Sequence, residues 1–255
     1  MTALTIARQE LARLFVSPLA WITLAVVQLL LGLLFAMNLT DLMANPMRLS
    51  DYAGVSEVLG TGLFRFATIV LLLIIPLITM RSFAEERKAG SLDLLLASPT
   101  GLGALVLGKF VGIMGFFTLL LGLIALMPFS LTLGTHLDTG LLLAGLLGLW
   151  LMMAAFAAAG IFISSLTREP TIAAIGSFGL LLAFFLLHAV SFYDWQPVVF
   201  GATLPLGDAA RQLSLIAHYD DLLAGIFASG DVLYYLIFSA LFLALTVQRL
   251  EMERR

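Results

Sequence analysis

The chain has no cysteine and little charge. Its 255 residues include 13 Lys or Arg and 16 Asp or Glu, 11% in all, against 61% apolar residues and a mean hydropathy of +1.08. Without Cys there are no disulfides, thiolate metal sites or Cys nucleophiles. So few charges cannot cover a water-soluble globule of this size, whose usual charged share is about a quarter. A net charge of −3 leaves no basic footprint for nucleic acid.

What is present is a series of long apolar runs. A helix needs roughly 20 apolar residues to cross about 30 Å of hydrocarbon. Six runs are expected to span, at about 18–37, 64–80, 110–133, 141–163, 171–190 and 232–247. The predicted fold is therefore all-α: a single six-span membrane domain over 1–255.

Residues 2–16 read as an interfacial helix, with Leu4, Ala7, Leu11, Leu14 and Phe15 on one face and Thr5, Gln9 and Arg13 on the other. Ser17 and Pro18 fit the cap and first position of the first span. A cleaved leader is the rival reading of this basic-then-apolar start, but the run is long and no A-x-A site follows. Residues 38–62 are expected to form a loop, Pro76 to kink the second span, and 191–230 to form short helices at the outer surface, Asp208 capping one that leads to His218. Gly108, Gly112, Gly115 and Gly122 fall within about 80° of one another on a helical wheel, a small-residue face for close helix packing. The Ala154 to Gly160 run is similarly small.

Basic residues near span ends favour the cytoplasm. With both termini inside, only Arg48, Arg65 and Arg211 lie outside; ten basic and seven acidic residues are then internal, so the inner side carries +3 and the outer side −6.

Within the spans His188 is the one ionisable group, and it is expected to bond a neighbouring helix. A carrier driven by protons or sodium would hold carboxylates or histidines at membrane depth, so energy for transport must come from elsewhere. Ser177 lies about 16 Å from His188 along one helix, too far for a nucleophile–base pair. His218, Asp220 and Asp221 read as a solvated turn rather than an ion site. Gly103 to Lys109 satisfies G-x-x-x-x-G-K, but Phe110 replaces the Ser or Thr of a phosphate loop and no strand precedes it. Lys109 is expected to snorkel at the inner surface.

The informative segment is the inner loop 81–100. A charge cluster, Glu85, Glu86, Arg87 and Lys88, breaks at Gly90-Ser91 and resumes as an apolar helix stopped by Pro99. Leu92, Leu95 and Leu96 form a face suited to a protein partner or to the membrane surface.

Here the chain resembles the membrane subunits of type-2 ABC transporters. Glu86, Gly90, Ser91, Asp93, Leu95, Leu96, Ser98 and Pro99 meet the family pattern E-x-x-x-G-[ST]-x-[ED]-x-L-L-x-[ST]-P. Gly108-Lys109-Phe110, the opening Ile6 to Leu11 with Ser17-Pro18, and the ending Gly230 to Tyr235 extend the likeness, which is greatest to gliding-motility-type permeases. The resemblance implies a multi-pass subunit of the bacterial cytoplasmic membrane that binds no cofactor. ATP and magnesium would sit in a separate cytosolic ATP-binding-cassette ATPase, and a second permease subunit, identical or paralogous, would complete the pathway. The loop 81–100 would be the coupling helix, with Glu85, Glu86, Arg87 and Asp93 contacting the ATPase and Leu92, Leu95 and Leu96 filling its groove. Substrate would move outward; the alternative is a non-transporting anchor or mechanical transmitter for an ATPase-driven envelope or motility machine.

Overall fold

The computed structural model describes residues 2–45, 55–92, 101–131, 137–191, 198–199, 202–203 and 206–254. The chain runs α1 (Ala3–Val16), α2 (Pro18–Ala44), α3 (Val55–Thr79), α4 (Ala84–Lys88), α5 (Leu102–Ser130), α6 (Thr139–Leu166), α7 (Pro170–Ser191), a two-residue antiparallel pairing of β1 (Val198–Val199) with β2 (Ala202–Thr203), then α8 (Leu206–Leu213), α9 (Leu215–Leu223) and α10 (Ser229–Arg254). Among the described residues, six helices are long and apolar enough to cross a membrane: α2, α3, α5, α6, α7 and α10.

The caps follow from local sequence. The Ser17 hydroxyl accepts from the Leu19 amide with Pro18 at the first position of α2, and Asp138 Oδ1 accepts from the Gly140 and Leu141 amides to start α6. Several boundaries depart from expectation: α3 starts at Val55, within the expected loop 38–62, and α10 runs on to Arg254. The first span continues as helix to Ala44, because Asn38 and Thr40 turn their side chains back onto the Leu34 and Ala36 carbonyls and so remain compatible with helix beyond the apolar run. Asp208 lies inside α8, and the helix carrying His218 is capped by Ser214, whose hydroxyl accepts from the Ala217 amide.

In lipid, apolar burial does not favour helix association as it does in water, so close backbone approach and polar bonds decide the arrangement. α6 is the axle: 78% of its apolar stretch is buried, against 17% for α7, and it packs on α3, α5, α7, α9 and α10. Its run from Leu151 to Gly160 is buried on every face. At Gly160 the small side is essential, since a Cβ there would lie 2.8 Å from Thr79 Cβ on α3, with Thr79 Oγ1 closer still.

The glycine face of α5 is occupied by α1 rather than by another span. A Cβ on Gly108 would meet Ile6 Cβ at 2.7 Å, and one on Gly112 would meet the Ala7 carbonyl at 2.7 Å; Gly115 lies beside Leu11, and Gly122 faces open space. This approach sets which face of α1 is inward. Ile6, Ala7, Glu10 and Leu14 are buried, while Leu4, on the apolar face expected to lie at the membrane surface, is 78% exposed.

At the end of the bundle away from the termini, α9 ties the spans together. Asp220 pairs with Arg65 at 2.7 Å and approaches His188 Nε2 at 3.6 Å, so His188 does meet a neighbouring helix. The Tyr219 hydroxyl donates to the Gly145 carbonyl; burial, with a smaller contribution from Asp220, pushes this phenol well above its ordinary pKa, so it stays a neutral donor.

Candidate functional site

The charged inner segment folds into the one-turn helix α4, held from behind by four other elements. Its first amides have no cap of their own: Phe83, at the cap position, supplies no side-chain acceptor. The acceptor comes from α6, where the buried Ser164 hydroxyl receives the Phe83 and Ala84 amides, each at 3.1 Å, and donates to the Met80 carbonyl at 2.8 Å. Ser164→Ala would orphan two buried donors and one acceptor, at about 1–3 kcal/mol. The expected result is a melting temperature several degrees lower, with faster amide exchange at residues 83 and 84.

The far end of α4 shows why the motif places glycine four residues after glutamate. The Ser91 amide donates to the Glu86 carbonyl and the Gly90 amide to the Arg87 carbonyl, the paired bonds of a Schellman stop. That stop needs its glycine in the left-handed region, and Gly90 has φ +70°. Ser91 adds a hydroxyl bond to the same Glu86 carbonyl. Glu86, Gly90 and Ser91 are thus one structural unit.

Beneath α4 lies a cluster of four charges. Lys109 Nζ is 2.5 Å from Glu86 Oε1 and 3.5 Å from Glu10 Oε2, and it sits 5.1 Å from the centre of the Phe83 ring. Arg13 closes the set, 2.7 Å from Glu10 and 3.6 Å from Glu86. The Lys109 side chain is only 2% exposed, so the snorkelling expectation is corrected: two carboxylates and an aromatic face hold the ammonium inside the protein. Gly103 to Lys109 is continuous helix from the first turn of α5, so it does not form the loop that a phosphate site needs before its helix.

The described residues of the segment, the expected contacts among them, are placed differently. Glu86 and Arg87 are turned inward, Glu86 to Lys109 and Arg87 to Glu253 at 2.5 Å near the end of α10. Leu92, expected to fill a partner's groove, is 2% exposed and packs into this chain's own core. Glu85, Lys88, Ala89 and Gly90 face outward, Lys88 with an exposed partner in Glu169 at 2.8 Å. Asp93, Leu95 and Leu96 lie outside the described residues. Sequence reasoning missed Ser164, for which a Ser164-Ser165 pair at the end of an apolar span was the available signal. It also missed Glu10, whose i,i+3 spacing to Arg13 was visible.

The other polar candidates do not converge. His218 Nδ1 is 2.7 Å from Asp231, whereas Asp220 is engaged by Arg65, and no group of three metal-ligating side chains occurs among the described residues. Ser177 donates to the Ala173 carbonyl in its own helix.

Residues 4–253 match the family described as ABC-2 family transporter protein. No curated protein matches the chain.

Proposed function

The chain belongs to the ABC-2 family of transporter proteins, and from that premise we propose that α4 and the loop after it receive a separate cytosolic ATP-binding-cassette ATPase, whose ATP hydrolysis moves substrate outward through this permease. The observation that carries this reading is the two-sidedness of α4. Its outward side offers Glu85, Lys88 and the Ala89-Gly90 turn, while its inward side is fastened to α1, α5, α6 and α10. A push on the exposed side is therefore passed to helices at both ends of the chain.

In this reading both termini and α4 are cytoplasmic, as the basic-residue asymmetry requires. ATP and magnesium belong to the ATPase, and a second six-span subunit completes the pathway in the bacterial inner membrane. Asp93, Leu95 and Leu96 extend the docking surface beyond α4. Glu86 and Arg87 position it from within rather than touch the partner.

Glu85→Arg tests the docking, because Glu85 is exposed and its replacement leaves the buried cluster intact. Reversing a charge at such a contact is expected to weaken association with the ATPase about tenfold. Co-purification and stimulation of ATP hydrolysis in proteoliposomes measure it. Unchanged coupling in Glu85→Arg, alone and combined with Asp93→Arg, would remove α4 and its following loop as the docking site.

A further inference from the structure

Beside the glycine contact, α1 and α5 border a groove of about 490 Å³, within the range of small-ligand sites. Leu4, Ala7, Leu11 and Val111 give it apolar walls, with Gly112 and Gly115 also bordering it. Arg8 and Thr5 are the polar side chains at its rim. Arg8 is exposed, and the ion pairs among the described residues use other cations. Glu10, an acid on the same helix, is turned inward to Arg13 and Lys109, so it leaves the charge of Arg8 unanswered.

The depth of the groove is set by its surroundings. α1 leads directly into the first span, and Trp21 at the start of that span is 59% exposed while its indole donates to the Phe15 carbonyl, the arrangement of a ring at the headgroup boundary. Val111 and Leu107 beside the groove are half exposed on a spanning helix. An apolar channel at this depth with a single cation at its rim is complementary to one kind of molecule: an acyl chain ending in an anionic phosphate headgroup.

We propose that the α1–α5 groove is a binding site for an anionic phospholipid, whose acyl chain lies along Leu4, Leu11 and Val111 and whose phosphate is held by Arg8. This goes beyond the assignment of α4 and does not depend on it. The lipid would rest against the helix that carries Glu10 and Arg13, on the side away from the charge cluster.

The test uses the whole purified protein, offered equal amounts of phosphatidylglycerol and phosphatidylcholine in detergent, with retained lipids counted by native mass spectrometry. The wild-type chain is expected to retain phosphatidylglycerol preferentially. Arg8→Gln should lower that preference about fivefold, the factor for one basic side chain near an anionic surface, and Arg8→Lys should keep most of it. Gly115→Val, which narrows the groove, should lower retention of phosphatidylglycerol with Arg8 still present. Equal retention of the two lipids by the wild type, or an unchanged preference in Arg8→Gln, overturns the proposal. Displacement of the lipid by glycerol phosphate alone also overturns it, because the apolar groove would then contribute nothing.

Discussion

Lys109→Met is expected to destabilise the protein by about 3–5 kcal/mol, the range for removing one partner of a buried ion pair. The ammonium it deletes is 2% exposed and is the closest cation to Glu86, while Arg13 lies farther away and is already engaged by Glu10. Without Lys109, the largely buried carboxylates of Glu86 on α4 and Glu10 on α1 are left to share Arg13. Methionine keeps the length and apolar bulk of the stem, so the loss reports the charge rather than a cavity. Thermal unfolding in detergent measures it. Adding Glu86→Gln should recover a large part of the loss, since the amide needs no counter-charge; a double variant no more stable than the single one would show that the pair is not the source. ATPase stimulation should fall with the single variant and return with the double one, because α4 is displaced in the first and reseated in the second.

Gly160→Ala is expected to cost about 1–3 kcal/mol although it adds one methyl group, and Gly160→Leu is expected to prevent assembly of the bundle. In exposed helix, glycine to alanine stabilises by nearly 1 kcal/mol, so the sign here is set by packing alone. The obstacle is Thr79, which is fully buried and β-branched, with its hydroxyl bonded to the Ile75 carbonyl at 2.9 Å. Its Cβ is fixed to the α3 backbone, so no rotamer change clears the added methyl, and α3 must move away from α6. Thr79→Gly in the same chain removes the obstructing atoms and should restore most of the loss, less the helix cost of glycine. Gly122→Ala on α5 provides the contrast: with open space around it, that change should be neutral or slightly stabilising. Melting temperatures of the variants decide the matter, and a Gly160→Ala protein as stable as the wild type would refute the close approach.

The six spans were legible because hydrocarbon permits few alternatives: a backbone crossing it must satisfy its own hydrogen bonds, and long apolar runs announce where it does so. The limits were less legible. Asn38 and Thr40 read as loop residues by polarity, yet each folds back on the helix carbonyl four residues earlier. The glycines of α5 announced a close approach without naming its occupant. That depends on the orientation of α1, which is set by the match of Ile6 and Glu10 to Gly108 and Gly112 rather than by hydropathy. Lys109 was misread for a related reason. Its partners Glu86 and Glu10 are remote in sequence, and a lysine at a span end looks the same whether it rises to water or closes a buried pair. The turn at Gly90 was the reverse case. The motif spacing from Glu86 to Gly90 and Ser91 is the hydrogen-bond spacing of the helix stop itself.

The cluster under α4 also has an electrical consequence. Glu10, Arg13, Glu86 and Lys109 are two acids and two bases, and Arg87 with Glu253 and Lys88 with Glu169 add two balanced pairs. Each uncompensated charge carried across the membrane potential would involve about 2.3 kcal/mol per 100 mV. The cluster and its two pairs carry no formal net charge, and the exposed Glu85 is the one charge of α4 left over, so a displacement of α4 with the groups that grip it moves a single formal negative charge. The buried joint itself is electrically balanced, so voltage across the membrane acts on its movement only through Glu85 at the exposed side.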